Sequence, residues 1–212
     1  MRVIAGTLKG RQLKPPTWEG LRPTSDKLRE TLFNVVAARV AGARVLDGFA
    51  GTGALGIEAL SRGAAGVTFV ERAPRAQALI AENLVHCGIA DSADIIRAPM
   101  ARALAMLRAS PGAVPFDLVL LDPPYDSAAT ARSETPSAGG RRRQVSLPLA
   151  SNADLDVSAL LADVAAIVAP DGLIVFEHGR RNPAPASAGP LACVRRLESG
   201  DSVLSFYAMI PG

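Results

Sequence analysis

Apolar positions along the chain follow two alternating rhythms. From residue 44 onward, short runs rich in Val, Ile, Leu and Phe at 44–47, 66–71, 94–97, 116–122 and 172–177 predict strands. Between them lie stretches with helical spacing. One runs through Leu60 and is closed by Gly63, one opens at Pro74, one opens at Pro99 and one covers 154–169. Two further strands are expected near 191–197 and 203–210. The run at 116–122 is almost wholly apolar, as in a strand buried on both faces. This alternation predicts an α/β fold with a doubly wound, mostly parallel sheet, and places ligands beyond the carboxyl ends of the strands.

The first forty residues read differently. Residues 2–12 suggest a small β-hairpin turning at Lys9-Gly10, which Pro15-Pro16 terminates. Thr24 or Ser25 can then cap a helix whose apolar stripe is Leu28, Leu32, Val35, Val36 and Val40. Lys27 and Arg29 fall off that stripe, so they are expected to face solvent or a ligand. Residues 1–39 hold eight basic side chains against three acidic ones, whereas the remainder is slightly acidic. A basic segment on a mildly acidic body suggests that the N-terminus meets a polyanion. The expected division is therefore a basic hairpin and helix over 1–40 and a main domain over 41–212. Within the latter, 126–153 is rich in Ser, Ala, Thr, Pro and Gly and carries Arg141, Arg142 and Arg143, which reads as a mobile insertion or lid.

Composition narrows the class. With 212 residues, 49% hydrophobic and 20% charged, the chain can bury one main core, which excludes wholesale disorder and two large domains. No apolar run is long enough for a membrane span and the start lacks a secretion-signal core, so a cytoplasmic protein is expected. Cys87 and Cys193 are far apart, and His86 and His178 have no ligand-spaced partners, so neither a disulfide framework nor a metal site is expected.

Two motifs carry chemistry. Asp47-Gly-Phe-Ala-Gly51-Thr-Gly53-Ala-Leu-Gly56 joins a predicted strand to a predicted helix, and Glu71 ends the next strand, where a carboxylate can bind ribose hydroxyls. Both a nicotinamide dinucleotide and S-adenosylmethionine fit this pattern. Asp47 favours the second, because a carboxylate repels a pyrophosphate and attracts an ammonium and a sulfonium. The other motif is Asp122-Pro123-Pro124-Tyr125 after the apolar strand. Its rigid turn presents a carboxylate and a main-chain carbonyl as acceptors for a planar exocyclic amine, and Tyr125 as a ring on which a base can stack.

Together with Arg2-Val-Ile-Ala-Gly, Gly10-Arg11, Leu21-Arg-Pro-Thr24 and Arg29-Glu-Thr-Leu-Phe-Asn34, these motifs resemble the bacterial RsmD family of 16S ribosomal RNA guanine-N2 methyltransferases. The resemblance implies a seven-stranded, Rossmann-like class I methyltransferase sheet with an N-terminal hairpin. It also implies methyl transfer from S-adenosylmethionine to the N2 amine of a guanine in the small subunit, on naked RNA or an assembly particle; a monomer is the default expectation. Carried onto this chain, it puts the cofactor on Asp47, Gly48, Phe49, Ala50, Gly51, Gly53, Glu71, Arg72 and Met100. The target amine falls on Asp122, Pro123, Pro124 and Tyr125, and RNA on Arg2, Lys9, Arg11, Arg22, Thr24 and Arg29. Gly48 replaces a usual larger apolar residue, and Ala98-Pro99-Met100 lacks a polar side chain for adenine. The same chemistry on DNA adenine or a protein glutamine, and a nicotinamide-dependent oxidoreductase, are the alternatives.

Overall fold

The computed structural model describes residues 1–18, 25–110, 112–123 and 155–210. The expected insertion at 126–153, together with Arg22, Thr24, Pro124 and Tyr125, lies outside the described residues. Ser25, whose hydroxyl accepts from the Leu28 amide, caps α1 (Asp26–Val35). Then follow β1 (Arg44–Gly48), α2 (Ala54–Ser61), β2 (Gly66–Glu71), α3 (Pro74–Cys87), β3 (Ala93–Arg97), α4 (Met100–Ala109) and β4 (Phe116–Leu121). After the gap come α5 (Val157–Ala165), β5 (Val168–Gly179), β6 (Ser187–Ala188), β7 (Leu191–Ser199) and β8 (Ser202–Met209).

The strands form one sheet in the order β3-β2-β1-β4-β5-β8-β7-β6. The first five are parallel and the last three antiparallel, so the doubly wound expectation holds. Among the described residues eight strands occur rather than seven, the addition being the two-residue β6 paired to β7. The helix expected over 154–169 stops at Ala165, because Val168 pairs with Phe116 and starts a long β5.

The expected hairpin reduces to a single bridge, Arg2 to Gln12. Around that bridge Val3 N–H donates to Arg11, Gly10 N–H to Val3 and Leu13 N–H to Met1, but the ladder goes no further because the main chain from Ile4 to Leu8 bonds to the body. Ile4 and Ala5 donate to the Glu58 carboxylate at 2.7 and 3.0 Å, Leu8 donates to the Ser61 hydroxyl, and the Lys14 amide donates to Asn83. Gly6, at φ +84°, lies so close to α2 that a Cβ would fall 1.8 Å from the Ser61 carbonyl oxygen. Residues 1–14 are thus a strap bound across α2 and α3.

Strand alternation sorts the core onto two faces. Val45, Val67, Phe69, Leu118, Leu120, Leu173, Val175 and Leu204 share one apolar cluster with the strap, α1, α2 and α3. Leu46, Val70, Val119, Leu121, Ile174 and Phe176 share the other with α4 and α5. Continuing the period of two past the first cluster brings Asp47, Glu71, Asp122 and Glu177 to the carboxyl ends of β1, β2, β4 and β5. All four belong to the face that the strap covers.

Candidate active site

The loop from Gly48 to Gly53 turns sharply between β1 and α2. Gly51 and Gly53 have φ of 55° and 76°, and Phe49, at φ 65°, is the one described non-glycine residue in that region. A non-glycine residue there holds strained backbone, at a loop beside the strand ends. Gly56 lets α2 press on β2, since a Cβ there would meet Phe69 at 2.3 Å. Gly48 has a local reason as well. A Cβ would strike Leu121 at 2.8 Å and Met100 at 3.2 Å, so Met100 and Leu121 occupy the volume that a larger residue would take.

Glu71 holds the loop from the side. One carboxylate oxygen accepts from Gly51 N–H at 2.9 Å and the other from Ala73 N–H at 2.7 Å. Each oxygen keeps acceptor capacity for a further hydroxyl. Asp47 behaves otherwise than its charge alone suggests. Its side chain is 1% exposed and accepts from the Gly56 N–H at 2.8 Å, so it organises the start of α2 rather than lying open to a ligand. Burial raises its carboxyl well above the ordinary range; the Gly56 bond opposes that rise, while Asp122 and Glu71 add to it. With Ala50 N–H donating to Val70 and Gly53 N–H to Ala50, three loop amides and the Gly56 amide of α2 are engaged within the protein. The carboxylates around them suit a cationic ligand group better than a pyrophosphate.

Asp122, half-buried, and Pro123, buried, leave the end of β4 next to this loop. Asp122 is close enough to Asp47 to act on its protonation. Arg72 is exposed beyond β2, and Phe49 packs against the α4 and α5 cluster. The structure thus gathers Asp47 to Gly53, Glu71, Met100, Asp122 and Pro123 at one sheet edge.

The basic residues divide. Arg2 and Lys9 are exposed and line a cleft of about 310 Å³ with Lys27, Asp26 and Glu30. Met1 anchors that region to the glycine loop through a 3.7 Å contact from the Thr52 hydroxyl to its sulfur. Arg11 is exposed but reaches the His86 carbonyl on α3 at 3.1 Å. Arg29 corrects the expectation of a ligand-facing side chain: it is fully buried, donating to the Arg2 carbonyl and to Asp26 at 3.0 Å, with Glu58 at 3.9 Å. Burial lowers its guanidinium pKa, against the pull of Asp26 and Glu58.

Two residues that motif reading passed over, Glu58 and Asn83, are fully buried and bind the strap. The signal was present in Glu58, a lone charge inside the apolar helix Ala-Leu-Gly-Ile-Glu-Ala-Leu-Ser. His178 is buried, its ring bonded to Ser205 at 2.8 Å. Among the described residues no group of three or more His, Cys, Asp or Glu is placed to hold a metal ion.

A family model described as Conserved hypothetical protein 95 matches residues 1–135. YlbH of Bacillus subtilis (strain 168) is 34% identical over 208 residues, covering 98% of each chain. The ribosomal RNA small subunit methyltransferase D of Escherichia coli (strain K12) is 42% identical over 125 residues, 59% of this chain and 60% of that protein. The chain belongs to the RsmD family. The solved structure of yhhF from Escherichia coli, 29% identical, superposes with a TM-score of 0.71 over 99% of this chain and 97% of that one. The RsmD-family sheet seen here is that of class I methyltransferases.

Proposed function

We propose that the chain transfers a methyl group from S-adenosylmethionine to the exocyclic N2 amine of a guanine in 16S ribosomal RNA, as free RNA or a small-subunit assembly particle. The observation that carries this is the meeting, at one sheet edge, of the Glu71-braced glycine loop with Asp122 and Pro123, in a chain of the RsmD family. The nicotinamide alternative is disfavoured by the same edge, where carboxylates accept from the Gly51 amide of the loop and the Gly56 amide in the first turn of α2, the donors a pyrophosphate would need.

Glu71 binds the ribose hydroxyls, and the loop from Gly48 to Gly53 lies under the methionine portion, with Phe49, Met100 and Arg72 around the nucleoside. Asp47 acts through the loop it shapes. The cofactor supplies an electrophilic methyl on a sulfonium. The amine lone pair is delocalised into the base, and Asp122 with the Pro123 carbonyl draws it out by accepting its hydrogens. Nitrogen then forms the new C–N bond while the C–S bond breaks and sulfur keeps the electron pair. The surplus proton leaves afterwards, to Asp122 or water, so positioning and local charge supply the catalysis. The motif continues into Pro124 and Tyr125, beyond the described residues, and Tyr125 is the ring assigned to stack on the base. Residues 1–40 serve as the RNA-facing part of a cytoplasmic monomer, through Arg2 and Lys9 at the cleft, Arg11 beside α3, and Arg22 and Thr24 beyond the described residues. No helix among the described residues is long and apolar enough to cross a membrane.

Nucleoside mass spectrometry of small-subunit ribosomal RNA, with and without the gene, tests the reading. One N2-methylguanosine position should vanish in the deletion and return on complementation. An unchanged N2-methylguanosine content would contradict it.

A further inference from the structure

One buried charge at the same edge has no part in the scheme above. Glu177 is 7% exposed and stands at the end of the inward row Leu173, Val175 in β5, on the face that carries Asp122 in β4. Its partner across β8, Leu204, belongs to that face too. Leu121 pairs with Phe176 as the last pair of β4 and β5 in the parallel register, so Asp122, one residue past the end of β4, and Glu177, still within β5, each follow a member of that pair. β5 is held on both sides, by β4 and by β8, which fixes the main chain that carries Glu177.

Base chemistry gives this placement a meaning. In guanine the exocyclic amine has a ring N1–H beside it, so two neighbouring acceptors can hold both donors. In adenine and cytosine the ring nitrogen next to the amine carries a lone pair, which a carboxylate repels. Uracil has a ring N–H but no amine. An ionised acceptor beside the amine-holding group therefore selects guanine, since it rejects a base that offers no hydrogen there.

We propose that Glu177 is the specificity-determining residue for the base, accepting the N1–H of the guanine whose N2 amine is held by Asp122 and Pro123. This rests on the methyl-transfer reading above. It adds the reason that the same Asp-Pro-Pro-Tyr turn acts here on guanine rather than adenine.

The test compares small-subunit RNA, ligated from fragments and assembled into particles, carrying guanosine or 2,6-diaminopurine riboside at the mapped position. The analogue keeps the 2-amine but presents a lone pair at N1. The wild-type protein should methylate the guanosine particle and lose on the order of 100-fold in kcat/KM on the analogue. Glu177→Gln, whose amide can donate to N1, should narrow that ratio at least tenfold, with the thermal shift by S-adenosylhomocysteine unchanged. A residue that merely supports the fold would lower both rates together and leave the ratio alone. Equal wild-type rates on the two particles, or an unaltered ratio in Glu177→Gln, overturns the assignment of Glu177 alone. No methylation of the guanosine particle overturns the guanine reading and this inference with it. Should Glu177→Gln fail to fold, the wild-type comparison decides by itself.

Discussion

Glu58 joins the N-terminal strap to the helix that follows the glycine loop, and its removal is a sharp test of that coupling. The buried carboxylate accepts from Ile4 N–H at 2.7 Å, Ala5 N–H at 3.0 Å and Arg62 Nε at 2.8 Å, with the fully buried Arg29 at 3.9 Å. Glu58→Ala leaves a buried guanidinium short of countercharge and two main-chain donors without their acceptor. Breaking a buried pair by removing one partner costs about 3–5 kcal/mol. The two orphaned amides act on the same group, so their costs do not simply add. For a chain of this size such a loss lowers the melting temperature by roughly 6–20 °C. Urea and thermal unfolding measure it, and hydrogen exchange at the Ile4 and Ala5 amides localises it. In Glu58→Ala these two amides should exchange much faster, and the added cost of Arg29→Met should be smaller than in the wild-type background. A destabilisation under about 1 kcal/mol with slow exchange retained at Ile4 and Ala5 would refute the role given to Glu58.

Other consequences follow from the same geometry. Gly56→Ala places a Cβ 2.3 Å from Phe69 and should cost about 1–3 kcal/mol by overpacking, with weakened S-adenosylhomocysteine binding in calorimetry, since α2 must lift from β2. Asp47 has a raised pKa, so its contribution to stability is full below its ordinary value of 3.8 and is lost as pH rises through the folded value. Asp47→Asn should therefore gain on the wild type as pH climbs from about 4 to about 7 in denaturant titrations, and a constant difference would contradict this. Burial pushes the Tyr207 hydroxyl, which donates to the Pro185 carbonyl at 2.7 Å, up to about 12. Its stabilising share is whole below the usual value of 10.0 and disappears through about 12; phenolate absorbance should show one of the two tyrosines titrating late. Arg2→Ala and Lys9→Ala should each weaken RNA binding and lower the salt slope by roughly 0.7–0.9, as for one lost phosphate contact; an unchanged slope removes that residue from the interface.

Much of the sheet was legible because period-two apolar runs and Pro at helix starts are local signals. Pro74 and Pro99 do open α3 and α4, and the almost wholly apolar 116–122 run supplies β4 over Phe116–Leu121. The glycine loop and Asp122 were legible for the same reason, as their chemistry lies in contiguous residues. What escaped depends on partners distant in sequence. Arg29 looks exposed on a helical wheel, yet its neighbours are the Arg2 carbonyl and Glu58, brought over it by a strap whose amides find side-chain acceptors on α2. Asp47 reads as a ligand-facing charge, yet its carboxylate turns inward and accepts from the Gly56 N–H. Glu177 emerges only when β4 and β5 are set in register, because nothing in its immediate neighbours links it to Asp122.

Asp122 as the acceptor for the target amine is the centre of the account. Asp122→Asn, compared with wild type in single-turnover methylation of small-subunit particles and in calorimetric binding of S-adenosylhomocysteine, measures this directly. Methyl transfer should fall on the order of 10²–10³-fold while the cofactor product binds about as tightly as before. Methyl transfer at the wild-type rate in Asp122→Asn would contradict it.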